Sequence, residues 1–108
     1  MIALARDSGI RHLVDFGCRS AGISVQPEYE VALVTSALAL VEVGAGFSIL
    51  SANALSVVRE RPIVARPLSQ PTVTREISMI VRQGRALSPA AAEWLHRLQR
   101  EVRAMANA

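Results

Sequence analysis

Residues 30–50 read EVALVTSALALVEVGAGFSIL, and this run decides the fold. It opens as the end of a strand. Leu38 and Val41, with Ala37 and Leu40, then recur at helical spacing, which gives Val34–Val43 one buried face. Gly44 stands where a helix needs a residue with positive φ just beyond its C-cap. After Gly46 the chain restarts as a short apolar strand, Phe47–Leu50. A helix that passes through glycines into a buried strand is half of a βαβ unit. It is no nucleotide fingerprint, because that motif places its glycines between a strand and the following helix, and here they come after the helix.

Working outward, Ile2–Ala5 reads as a short buried strand. Ser8 is positioned to cap a helix whose body is Arg11–Cys18, with Leu13, Val14 and Phe16 as its apolar face. Ser24–Val31 is expected as a second strand, and Pro27 makes it an edge or bulged position. Ala52–Val58 suits a short helix. Ile63–Pro67 and Glu76–Arg82 read as two more strands, joined by a loop of Ser, Gln, Pro and Thr. Ser88 followed by Pro89 starts the last helix, on which Trp94, Leu95, Leu98 and Val102 form an apolar stripe. The order β-α-β-α-β-(α)-β-β-α implies an α/β sandwich around a largely parallel sheet.

The chain has 108 residues, 51% of them hydrophobic, which suits one small domain with a core of its own. Only Phe16, Tyr29, Phe47 and Trp94 are aromatic, so the core must be aliphatic. The net charge is +3 and every basic residue is an arginine. The arginines are scattered. Their densest group, Arg97, Arg100 and Arg103, lies among Glu93 and Glu101 and reads as a solvated helix face rather than a nucleic-acid stripe. Cys18 stands alone, so an internal disulfide is excluded and a reduced thiol is expected. No basic-then-apolar leader and no stretch of about 18 apolar residues is visible, so a cytoplasmic protein without a membrane partner is expected.

Catalysis finds little support. His12 and His96 fall on solvated helix faces, Asp7 and Asp15 have no carboxylate partner, and GxSxG, P-loop and HExxH motifs are missing. No enzyme activity, cofactor or metal is expected. Binding fares better. In open α/β sheets ligands gather outside the carboxyl ends of the strands, where helix N-termini present free N–H groups. Arg6, Ser8 and Gly9 open the first helix. Thr35 and Ser36 open the next. Their N–H groups and hydroxyls suit a carboxylate, and Tyr29 and Phe47 could wall an apolar pocket. Each has a plainer reading: Ser8 as a cap, Thr35 and Ser36 as ordinary first-turn residues, Phe47 as core and Arg6 as a solvated side chain.

Several of these residues carry a family resemblance. Glu30, Leu38-Ala39-Leu40-Val41 and Gly44-Ala45-Gly46-Phe47 resemble the E…LxLVxxGxGxxxLP run in the effector-binding domain of LysR-type transcriptional regulators. Ile2-Ala3-Leu4 with Ser8-Gly9-Ile10-Arg11, Val64–Leu68, Arg75–Arg82 and Leu87–Ala91 fit the same pattern in the same order. Two positions depart from it: Ser51 stands where a proline is usual, and Ala32-Leu33 replaces a common polar pair.

The resemblance implies a periplasmic-binding-protein-like (type II) lobe, a three-layer sandwich around a mostly parallel mixed sheet. Residues 1–83 would form the second lobe, and residues 84–108 a C-terminal helix that returns to a first lobe. It also implies a small-molecule effector held in a cleft between lobes, lined at the positions of Arg6, Ser8, Gly9, Tyr29, Thr35, Ser36 and Phe47. DNA would be reached only through a helix-turn-helix domain outside this chain. A homo-oligomer is expected, with the helix around Thr35–Val43 at a subunit interface and exchange of the C-terminal segment between chains. The alternative is a lobe of a periplasmic-type solute-binding protein used in transport, which the lack of a visible leader disfavours.

Overall fold

The computed structural model describes residues 1–106. They fall into two compact units, Met1–Ile77 and a second that begins at Ser78. The first is mixed α/β with a small parallel sheet. Strand β1 (Ile2–Leu4) leads through Ala5–Ser8 into α1 (Gly9–Ser20). Strand β2 (Tyr29–Val31) leads through Ala32-Leu33 into α2 (Val34–Glu42). The strands pair in parallel, Ile2 with Tyr29, Ala3 with Glu30 and Leu4 with Val31. On the other side of β1 the chain after α2 forms a single parallel bridge, Ser48 to Ile2. The Ile2 N–H donates to the Phe47 carbonyl at 2.8 Å, and Ser48 Oγ donates to the Ile2 carbonyl at 2.8 Å. A 3₁₀ turn (Ala52–Ala54) and α3 (Leu55–Val58) follow.

β1 is central, so it is the buried strand. Ile2 has no exposed surface, and Ala3 and Leu4 have almost none. Successive side chains alternate across a strand. Ile2 and Leu4 pack with Ala37 of α2, and Val31, Val34, Leu40 and Val41 close around them. Val14 of α1 is also buried. The turn after α2 satisfies the last carbonyls of the helix: the Gly44 N–H donates to the Val41 carbonyl and the Ala45 N–H to the Leu40 carbonyl, both at 3.0 Å. Gly44 has φ +82°, the conformation that its place beyond the helix demands.

The structure corrects several expectations. The second strand is paired only over Tyr29–Val31, not from Ser24. The third strand shrinks from Phe47–Leu50 to one bridge. Ile63–Pro67 and Glu76–Arg82 join no sheet among the described residues. An alternating apolar run becomes a strand only when a neighbour takes up its backbone groups, and in these segments Val64, Ile77 and Ile80 are exposed. Phe16, expected on the apolar face of α1, is exposed as well. That helix buries Arg11, Val14 and Gly17, at i, i+3 and i+6. Gly17 is needed there because a Cβ on it would lie 2.8 Å from Val73 Cγ2.

In the second unit, α4 (Pro89–Ala106) starts as its sequence requires. Ser88 Oγ accepts from the Ala91 N–H at 3.2 Å, and Pro89 occupies the first helical position. Trp94 and Val102 are exposed on it. No described helix is long and apolar enough to cross a membrane.

Candidate functional site

Parallel pairing decides which residues can share a site. β1 and β2 end together at Leu4 and Val31, and each is followed directly by a helix. The N-termini of α1 and α2 therefore open at the same edge of the sheet. In α1 the first N–H to find an intrahelical partner is that of His12, which donates to the Ser8 carbonyl at 3.2 Å. In α2 it is that of Ala37, which donates to the Leu33 carbonyl at 3.2 Å. The first N–H groups of both helices are unused among the described residues, and together with the helix dipoles they make this edge electropositive.

The hydroxyls here are also unspent. Ser8 occupies the N-cap position of α1, but its Oγ makes no capping hydrogen bond. Its extended backbone instead lets its own N–H donate to the Ala5 carbonyl at 2.9 Å. This corrects the expectation of a side-chain cap. Leu33 caps α2 without a side-chain bond, as its apolar side chain dictates. Thr35 is exposed and Ser36 half-buried in the first turn that follows.

A charge cluster that the sequence reading missed sits beneath this edge. Arg11 is 7% exposed, and its guanidinium joins three elements. Nη1 donates to the Leu4 carbonyl at 2.9 Å and to Glu30 Oε1 at 3.1 Å. Nε donates to the two oxygens of Asp15 at 3.0 and 3.1 Å. Desolvation by burial works against its charge, but the hydrogen bonds and charges of Asp15 and Glu30 outweigh it and hold its pKa above the ordinary arginine value. Arg6 approaches the same Glu30 oxygen at 3.8 Å from a largely exposed position. Only the i,i+4 spacing of Arg11 and Asp15 signalled any of this in sequence.

Of the seven candidate residues, the structure brings Arg6, Ser8, Gly9, Thr35 and Ser36 to this edge. It does not bring Tyr29 or Phe47 there. Tyr29 is the first residue of β2 rather than a late one, paired with Ile2. Phe47 precedes Ser48, which is also level with Ile2. Both lie toward the opposite end of the strands. Phe47 is 61% exposed, which also overturns its reading as a core residue. Among the described residues no group of three or more His, Cys, Asp and Glu side chains could hold a metal ion. His12 and His96 are exposed.

Known proteins resemble this chain in sequence. Residues 1–103 match the model of the LysR substrate binding domain. An uncharacterized HTH-type transcriptional regulator of Escherichia coli (strain K12), YbhD, is 33% identical over 91 residues, covering 84% of this chain and 29% of that protein. A second uncharacterized HTH-type transcriptional regulator, YfeR of Shigella flexneri, is 33% identical over 84 residues, covering 78% of this chain and 27% of that protein. This chain thus spans under a third of the length of the curated relatives it matches. No solved structure matches it.

Proposed function

Because the chain belongs to the LysR substrate-binding domain family, we propose that it is the effector-sensing lobe of a transcriptional regulator. The effector is a small carboxylate held at the edge where α1 and α2 begin. Arg6, Ser8, Gly9, Thr35 and Ser36 are its contacts. The observation that carries this reading is the pair of helix N-termini, side by side on parallel strands, with N–H groups and hydroxyls that no described residue uses. Both relatives bear the name of transcriptional regulators, which favours sensing over solute transport.

In this reading the chain supplies one lobe of a type II periplasmic-binding-protein-like clamp, a three-layer sandwich when complete. Residues 84–108 return to the first lobe. An effector that binds the closed arrangement more tightly shifts the population of lobe orientations, and with it the geometry of DNA-binding domains in a homo-oligomer. No residue of the chain is assigned a catalytic role.

Titrating the ¹⁵N-labelled chain with benzoate tests the site. The expected result is a set of amide shifts centred on Gly9, Ile10, Thr35 and Ser36, weakened by the double variant Thr35→Ala/Ser36→Ala. Shifts confined to other parts of the chain, or an unaltered response of the double variant, would overturn it.

A further inference from the structure

A cleft of about 360 Å³ runs along the flank of α1, from Arg6 just before the helix to Arg19 in its last turn. Its lining includes Arg6, Arg11, Asp15, Arg19, Ser24 and Val25. Its size falls at the lower end of small-molecule sites. We propose that this cleft is a second binding site, for a compact oxyanion of the phosphate or dicarboxylate class. The proposal does not depend on effector binding at the helix N-termini, although Arg6 stands at the junction of the two places.

Arg11 carries the argument. It is more than nine-tenths buried and lines the cleft. Nε and Nη1 are committed to Asp15, Glu30 and the Leu4 carbonyl. Nη2 has no hydrogen-bond partner among the described residues, and yet no buried side-chain nitrogen or oxygen is left unsatisfied. Nη2 is therefore not completely sealed off, and it is the one guanidinium nitrogen still free to donate. The guanidinium is clamped by four acceptor atoms from three residues, so little side-chain entropy remains to be lost when a ligand takes the remaining donor.

Charge points the same way. Three arginines, Arg6, Arg11 and Arg19, line the cleft, and Asp15 is the one carboxylate residue in its lining. Both Asp15 oxygens are turned to Arg11. Even with Glu30 counted, one positive charge is in excess. Arg19 is exposed and makes no ion pair among the described residues. It can fold over an oxyanion from the far end, and the Ser24 hydroxyl adds a neutral donor. Charge-assisted bonds from paired arginines are the usual means of recognising such groups.

The test is an amide-resolved titration of the chain with inorganic phosphate and, separately, with succinate, at ionic strength held constant with sodium chloride. Saturable shifts at Arg19, Ser24 and Val25 are expected with at least one probe, and the probe that saturates distinguishes a phosphate ligand from a carboxylate one. Arg19→Gln alters an exposed side chain and leaves folding intact. It should weaken binding about tenfold, the loss expected for one charge-assisted hydrogen bond. Arg97→Gln on α4 and the double variant Thr35→Ala/Ser36→Ala should leave it unchanged. Shifts that grow linearly with both probes, or equal affinity in Arg19→Gln, would overturn the proposal. Failure of the benzoate titration at Gly9 and Thr35 would not touch it.

Discussion

Arg11 Nη1 donates to the backbone carbonyl of Leu4 at 2.9 Å, so the first helix is fastened to the last residue of the central strand by a buried cation. The same nitrogen holds Glu30 of β2, and Nε holds Asp15 one turn further along α1. One side chain therefore fixes β1, α1 and β2 at the edge where the helices begin.

Arg11→Ala removes that tie. It strands the Leu4 carbonyl and leaves two carboxylates facing each other. Deleting one partner of a fully buried pair costs about 3–5 kcal/mol. Asp15 and Glu30 are both more than a third exposed and can recover water, so about 2 kcal/mol is expected. Arg11→Lys should recover only part of this, because an ammonium cannot serve two carboxylates and a carbonyl with the geometry of a planar fork. Urea unfolding midpoints of the two variants check the order. An Arg11→Ala midpoint equal to that of the parent chain would show that the cluster adds nothing to stability.

Gly44 offers a cleaner backbone test. Nothing lies within 4 Å of a Cβ built on it, so crowding plays no part in any substitution there. Its φ of +82° is the whole constraint. Gly44→Ala should cost about 1–2 kcal/mol, and Gly44→Asn less, since asparagine tolerates the left-handed region better. Thermal unfolding of both variants should rank them in that order. An alanine variant as stable as the parent would mean that the turn rearranges at no cost.

What could be read from the sequence follows the range of the forces involved. The helices are carried by neighbours: apolar spacing and Gly44 for α2, Ser88 and Pro89 for α4. Strand pairing is not local. Ser24–Val31 has the composition of a strand, but only Tyr29–Val31 meets a partner, and this moves Tyr29 from the end of a strand to its beginning. Phe47 opens its strand in the sequence and in the structure alike, and the opening of a parallel strand lies away from the helix N-termini. Candidates carried by helix starts, Ser8, Gly9, Thr35 and Ser36, reached one edge because any parallel βα pair puts them there. Arg11 escaped notice because its burial depends on Glu30, 19 residues away.

Gly17→Ala sets propensity against packing. Alanine is better than glycine in a helix interior by about 1 kcal/mol. Here the added methyl would meet Val73 Cγ2 at 2.8 Å, so the loop at Pro71–Val73 must give way. Overpacking of this kind costs about 1–3 kcal/mol, and a net loss is expected. Placed on a Val73→Ala background, Gly17→Ala should instead become neutral or stabilising. The double-mutant cycle reports the coupling directly, and additive effects would show that the helix and this loop are not in contact in solution.

Ser48 is the last fastening to test. The third strand holds to β1 through the Ile2 N–H to Phe47 bond and through Ser48 Oγ on the Ile2 carbonyl at 2.8 Å. With so short a ladder, one hydroxyl is a large share of the attachment. Ser48→Ala should cost about 1 kcal/mol globally. The sharper readout is local: the Ile2 amide should exchange faster with solvent while the Leu38 amide in α2 keeps its protection, because opening this edge need not unfold the helix. Equal acceleration at both amides would mean that the bridge and α2 open as one unit.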